Sequence, residues 1–407
     1  MVEWVSKFQN IGTKRWVNNK MDKDIAPARK LNNQGPYIAS MTITFFCFYG
    51  FSYLVSWMMI KETGSPELLS KVLTITMLPA IALNLIAGRV VKALNAKVVM
   101  AVTDLLTGIL FIFTYGLMAL SVQMVTLLVI VSVLNKSIGV FYKLSNKTII
   151  PELFVNNEIR KINSIQTQVR QLSIITSSIL VTGLLVVIDP KFIIFIIGLL
   201  FLLSVIFDFK LQRKRVSSSD ICKLQDGYAI HVEKGIKYNL ILAAIGCFVD
   251  ALVAVLVPWL SLVVLKNNWL LSLLLTFEAV GILLAPIVLS ALPGTKLSVL
   301  SLLLPVSLLL LYPYILSMMV GMLLLGLIRG MFNVQFFSKI QREVAIGQMS
   351  TTMAKVLAIT DASTVVGTLG AAWLANIFGS GVFTIVGIVF EVIIVIGFIF
   401  RSKFLNN

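Results

Sequence analysis

Long apolar runs separated by short polar gaps recur along almost the whole 407-residue chain, from about Tyr37 to Phe400. A helix needs roughly 20 apolar residues to cross the hydrocarbon of a bilayer. In lipid only helices and closed barrels satisfy every backbone polar group. Strict two-residue alternation is absent, so the pattern predicts helices. The spans drawn from it are 37–60, 69–93, 97–120, 122–144, 164–187, 191–209, 239–265, 268–291, 296–312, 314–338, 353–377 and 381–401. The expected fold is an all-α membrane protein with twelve transmembrane helices in two six-helix halves. Its parts are a basic segment 1–36, a first half 37–209, a linker 210–238, a second half 239–401 and a tail 402–407.

Composition agrees with that pattern. The chain is 58% hydrophobic and 13% charged, whereas soluble domains carry about 25% charged residues. Its net charge of +16 would suit nucleic acid, but the basic residues are placed for topology. They crowd Lys7–Lys30, Lys143–Lys161, Lys210–Lys237 and Arg401–Lys403, while the alternate loops hold little beyond Lys61, Lys71, Lys191 and Lys266. This asymmetry is the positive-inside bias. It predicts both termini in the cytoplasm, a multi-pass protein of a bacterial plasma membrane, the lipid bilayer as partner, and no nucleic acid. In the first segment, Trp4, Val5, Phe8, Ile11 and Trp16 share a face. That leaves two alternatives, a surface-lying amphipathic helix and a basic tail that serves topology.

Enzyme chemistry has no foothold in the pattern. Cys47, Cys222 and Cys247 have no metal-ligand spacing, and the single histidine, His231, lies in a polar stretch. No phosphate-cradling glycine loop and no nucleophile–base arrangement is present, so neither an enzyme, a cofactor, a metal nor an ATP-driven pump is expected.

The polar stretches after the fourth and tenth spans echo each other. The first reads KTIIPELFVNNEIRKINSIQTQVRQL and the second SKIQREVAIGQMSTTMAKVLAI. Pro151, Glu152 and Leu153, followed by Asn156, Glu158, Asn163, Ser164 and Gln168, resemble the signature of macrolide-efflux-like drug exporters of the major facilitator superfamily. Asn333, Gln341, Gly347 and Ser350 resemble its second-half counterpart, and Glu233 to Ile236 the lead-in to the seventh span. That group also includes siderophore exporters and a lysophospholipid importer. The sequence departs from the family where a cytoplasmic latch is expected. Gly88 is kept, but Lys92 stands at the Asp position and Ala93 at the following Arg position. Asp104 matches a Thr-Asp-Leu pattern, and Thr176-Ser177 replaces the Gly-Pro of antiporters. Gly88, Asp104, Pro151, Glu152, Asn163, Gln341 and Asp361 are the gate or motif candidates.

A charge in a spanning helix costs about 2.5–3.5 kcal/mol, so each is a functional candidate. The set is Arg89, Asp104, Lys136, Arg170, Asp250, Glu278, Arg329, Lys355, Asp361 and Glu391. Arg89, Arg170 and Lys355 lie near helix ends and suit anchoring. The resemblance implies a cavity lined by the first, fourth, seventh and tenth spans, toward which Lys136, Asp250 and Arg329 would face. Asp250 is expected as the proton- or cation-responsive carboxylate, with Lys136 and Arg329 as charge partners and Glu278 as a further candidate. The competing reading is a static ion pair that pins helices. Phe46, Tyr49, Tyr53 and Trp57 are candidates for an aromatic cavity wall, with plain packing as the alternative. The small residues Gly367, Gly370, Ala371 and Ala372 suit close helix approach between the halves.

The expected function is a secondary-active transporter that exports a hydrophobic or amphiphilic compound, such as a macrolide-like drug or a self-made antimicrobial, in exchange for protons. Two alternatives stay open: a lipid or siderophore transporter, and a non-transporting immunity factor, sensor or partner subunit.

Overall fold

The computed structural model describes residues 33–63, 66–120, 123–212, 228–261, 265, 268–292, 300, 303, 307, 311, 314–378, 381, 383–390 and 392. Among them the chain forms ten long helices: α1 (Gln34–Thr63), α2 (Pro66–Leu94), α3 (Ala96–Ala119), α4 (Met124–Leu153), α5 (Asn156–Leu184), α6 (Pro190–Lys210), α7 (Tyr228–Trp259), α8 (Asn268–Ala291), α9 (Ile315–Glu343) and α10 (Ile346–Phe378). Seven carry stretches long and apolar enough to cross a membrane: Gln34–Met59, Ala96–Met118, Met124–Leu153, Pro190–Lys210, Asn239–Pro258, Leu273–Ala291 and Ile315–Glu343. The chain is a multi-pass membrane protein. The expected amphipathic segment before residue 33, most of the linker and Cys222 lie outside the described residues. So do most of the span 296–312, much of the span 381–401, and Glu391.

Several helices outrun the apolar stretches that announce them. The polar sequence 145–163, expected as a loop, is helical on both sides of a break at Phe154 and Val155. Residues 339–352 behave alike, with a break at Val344 and Ala345. Residues 228–238, expected in the linker, already belong to α7. Hydropathy marks where lipid ends, whereas a helix continues for as long as its backbone bonds are met. At the start of α5 the Glu158 carboxylate accepts from Val155 N at 3.3 Å, which places an acid at the positive helix end. Between α2 and α3 a single residue makes the break. Asn95 takes φ 66°, a region costly for a side chain, and its Oδ1 accepts from Val98 N at 3.1 Å.

Within the first six helices, α3 packs on α4 and α6, α1 on α5 and α6, and α2 on α4. Phe51, Phe111 and Phe201 form one buried cluster, in which Phe51 stacks on Phe111 with ring centroids 4.2 Å apart and Phe201 meets Phe111 edge-on at 5.6 Å. Later in the chain α8 packs on α9 and α7 on α10. The two groups meet through α2 and α4 against α10, and α5 against α8 and α9. Gly326 lies so close to α8 that a Cβ there would overlap the Glu278 carbonyl, and one at Gly281 would overlap that of Leu323. The closeness of α8 and α9 thus depends on two missing side chains. The small residues of α10 divide between two neighbours. A Cβ on Gly367 would lie 2.6 Å from the Phe248 carbonyl of α7, within the later group, rather than at the seam between the groups as expected. The contact across that seam is made by Ala354, whose Cβ would sit 2.6 Å from one on Gly88 of α2.

Candidate functional site

Three helices of the later group converge on one guanidinium. Arg329 of α9 places Nε 2.9 Å from Asp250 Oδ2 of α7, and Nη1 2.5 Å from Glu278 Oε1 of α8. Their side chains keep only 27%, 21% and 18% of their surface exposed. The Glu278–Arg329 contact depends on the glycine-mediated approach of α8 and α9 described above. Asp250 Oδ1 is buried and accepts no hydrogen bond among the described residues. The cluster therefore holds two carboxylates to one guanidinium, with a carboxylate oxygen to spare.

From the first group, Arg170 and Tyr49 come near it. Arg170 of α5 donates from Nε to the Tyr49 hydroxyl of α1 at 3.0 Å. Its charge is near enough to act on Asp250, as Tyr49 is on Arg329. Lys136 of α4 forms no ion pair among the described residues, and its Nζ lies 4.7 Å from the Phe48 ring centroid. Cys47 is buried, whereas Cys247 stands near Asp250. The other aromatic candidates take separate partners. Tyr53 accepts from Thr182 Oγ1 at 2.8 Å, and Trp57 lies under Lys61 Nζ at 4.7 Å. Phe46 lines a groove between α1, α5 and α6 with Ile43, Leu172, Thr176 and Leu200.

A second set of polar contacts ties the two groups together at the end that carries the basic residues Lys92, Lys161 and Arg342. Asn163 of α5 donates to Gln341 Oε1 of α9 at 2.5 Å, and Gln341 Nε2 donates to the Lys147 carbonyl of α4 at 2.8 Å. Lys147 itself bonds Gln166 and lies 4.0 Å over the Phe337 ring of α9. Asp361 of α10 accepts from Lys143 Nζ at 2.8 Å and from Asn84 Nδ2 at 2.9 Å. Arg160 Nη2 reaches the Leu289 carbonyl of α8 at 2.8 Å. Burial first, then the neighbouring Arg342, hold Arg160 below the usual guanidinium range. Gly88 supplies the tight seam to α10 in the same region. Pro151 sits in the last turn of α4, and Glu152 beside it is buried.

The sequence-derived candidates thus fall into separate places. Asp250, Glu278 and Arg329 come together, while Lys136 joins Phe48 instead. Asn163 meets Gln341, and Asp361 meets two residues that sequence reasoning did not single out, Asn84 and Lys143. Arg170, expected as an end anchor, bonds the cavity candidate Tyr49. Asp104 lies apart, buried on α3, where Thr44 donates to its Oδ2 at 2.6 Å and Ser204 bonds the same oxygen.

The fold, a bundle of long apolar helices with acidic and basic side chains paired in its interior and a polar seam at one end, is shared with solved membrane transporters. Comparison with solved structures agrees on the fold. The human organic anion transporter MFSD10 (TETRAN) superposes with a TM-score of 0.64 at 13% identity, over 91% of this chain and 99% of that one. A bacterial homologue of the iron transporter ferroportin, in an outward-facing state with soaked iron, gives 0.70 at 15% identity, over 90% and 98%. A further structure of a bacterial homologue of the iron transporter ferroportin, in an outward-facing state, gives 0.66 at 13% identity, over 93% and 100%. No family model matches the sequence, and no curated protein sequence matches it significantly.

Proposed function

We propose that the chain is a secondary-active transporter that exports a hydrophobic or amphiphilic compound by alternating access of two six-helix halves, with protons as the coupling ion. The observation that carries this reading is the Asp250–Arg329–Glu278 cluster inside an otherwise apolar bundle. Charges there are costly, and this cluster keeps a carboxylate oxygen unpaired, a feature that a purely static brace does not need. The positive-inside bias assigns the basic end to the cytoplasm. The Asn163–Gln341–Lys147 and Lys143–Asp361–Asn84 contacts then act as a cytoplasmic gate, closed in this state, where the sequence lacks the usual latch. The fold shared with an organic anion transporter and a homologue of an iron transporter supports transport as the activity. Expression in a drug-sensitive host tests it. Resistance to macrolide-like compounds and proton-linked dye efflux are expected, both reduced in Asp250→Asn. Absence of both removes drug export.

A second reading is import or export of a lipid or siderophore. Arg170, whose charge is near enough to act on Asp250, and Lys136, which forms no ion pair among the described residues, favour it because they suit an anionic headgroup or chelator. Reconstituted vesicles that move a labelled lysophospholipid but no drug would select this reading. Failure to move either would leave a non-transporting membrane partner or immunity role.

A further inference from the structure

A second buried pair of acids lies away from the central cluster. Asp104 of α3 is 1% exposed and Asp208 of α6 is fully buried. Neither forms an ion pair among the described residues. Hydroxyls of α1 and α6 line the space around both. Ser40 and Thr44 stand one turn apart on α1, and Ser204 and Asp208 one turn apart on α6, so two helix faces meet at Asp104. Ser40 Oγ donates to Asp208 Oδ1 at 2.6 Å. Thr44 and Ser204 both bond Asp104 Oδ2, and their own oxygens lie 3.1 Å apart.

Two polar atoms at this place lack a close hydrogen-bond partner among the described residues. Among the described residues Asp208 Oδ2 accepts nothing, and the Tyr142 hydroxyl of α4, 7% exposed and facing Thr44 and both acids, has no partner within 3.5 Å. The other titratable groups facing the pair are Tyr37 and Cys47 of α1 and Lys97 of α3. Lys97 is the one cation among these, and it donates to the carbonyls of Phe209 at 2.9 Å and Leu211 at 2.7 Å. Two ionised carboxylates cannot share such a dry pocket without a counter-charge. One oxygen of each acid is already in direct contact with neighbouring hydroxyls, Asp208 with Ser40 and Asp104 with Thr44 and Ser204, which leaves little room there for a metal ion with its own ligand shell.

We propose that Asp104 and Asp208 share one bound proton in this state of the protein. Asp208 lies two residues before the end of α6 and Asp104 eight residues into α3, both toward the basic end. Resting on the transporter reading above, this pair is the coupling site. Its proton is given up to water when the basic end opens, leaving both acids ionised and hydrated. Asp250 is then left to meet the cargo.

Infrared difference spectroscopy of the purified full chain, between neutral and alkaline pH, reads the proton without needing a substrate. A protonated-carboxyl band is expected at neutral pH in the wild type and in Asp250→Asn, and lost in Asp104→Asn and in Asp208→Asn alike. A band that survives in either of those two single variants, or a wild type without one, overturns the proposal. Should the Asn variants fail to fold, Ser40→Ala and Ser204→Ala keep the question open to decision. A shift of the band frequency supports the site, and an unchanged frequency overturns it. In proteoliposomes, a wild type that moves no ethidium under an imposed pH gradient counts against the transport reading, while the infrared band still decides the proton site.

Discussion

Asn163 and Gln341, 178 positions apart, meet in a buried hydrogen bond of 2.5 Å that joins α5 to α9. Each belongs to one of the two polar stretches that echo each other in the sequence, so the echo becomes a contact between the two helix groups.

Gln341 serves two partners there, Asn163 and the Lys147 carbonyl. Gln341→Ala leaves both short of a bond in a buried place, at about 1–3 kcal/mol for each unsatisfied group. That cost falls only on the state in which the basic end is closed, so the equilibrium moves toward opening. Spin labels at the exposed positions Asn157 and Gln348 should report a longer and broader distance distribution in Gln341→Ala than in the parent. An unchanged distribution would remove this contact from the gate.

Arg329 balances two acids, and its loss should be felt as lost stability. Arg329→Ala leaves Asp250 and Glu278 facing each other without a cation. Breaking a fully buried pair costs about 3–5 kcal/mol, and the partial exposure here puts the expectation near the lower bound. The triple variant with Asp250→Asn and Glu278→Gln should recover most of the loss, because no uncompensated charge then remains. Thermal melts in detergent check both. Equal melting temperatures for Arg329→Ala and the parent would show that water already screens the cluster.

Hydropathy made much of the bundle legible before any coordinates. Ten expected spans overlap the ten described helices, because roughly 20 apolar residues announce a crossing whatever the packing. Helix ends were not legible. The polar turns around Asn146 and Asn163 read as loop, yet they are helical and carry the seam. Asp250, Glu278 and Arg329 could be singled out as intramembrane charges, but the sequence does not say how three helices are rotated to bring them together. Asp208 was missed because it stands in the last turn of an apolar run, where an acid reads as the polar flank. Arg170 was assigned to a helix end by depth alone. Its bond to Tyr49 follows from the packing of α1 on α5, which no local pattern encodes.

The closeness of α8 and α9 predicts a sharp contrast among glycines. Gly326→Ala drives a methyl group into the Glu278 backbone, and Gly281→Ala does the same at Leu323. Backbone cannot yield as a side-chain tip can, so each should cost about 3 kcal/mol and lower the yield of folded protein. Gly246→Ala meets nothing within 4 Å and should melt within about 0.5 kcal/mol of the parent. Fluorescence-detected size exclusion across a temperature series separates the two behaviours. If all three variants behaved alike, the close crossing would have to be dropped.

Lys143 and Asp361 pair across the seam at 2.8 Å with side chains 48% and 25% exposed. At that exposure the pair contributes little to global stability, about 0.2–1 kcal/mol. Its weight lies in the balance between conformations, because α4 and α10 hold the pair only while the basic end is closed. A bias of about 1 kcal/mol changes a two-state ratio roughly five-fold. Lys143→Glu replaces attraction with repulsion and should raise labelling of a cysteine introduced at the basic end, with little change in melting temperature. Asp361→Lys should do the same, and more strongly, since it also removes the acceptor for Asn84. Combining the two restores opposite charges across the seam and should return labelling toward the parent rate, short of it by the lost Asn84 bond. High salt should shrink all three differences, as expected for an exposed pair. If the double variant labels as fast as the worse single one, the pair does not couple the helices, and Asn84–Asp361 would be the contact that matters there.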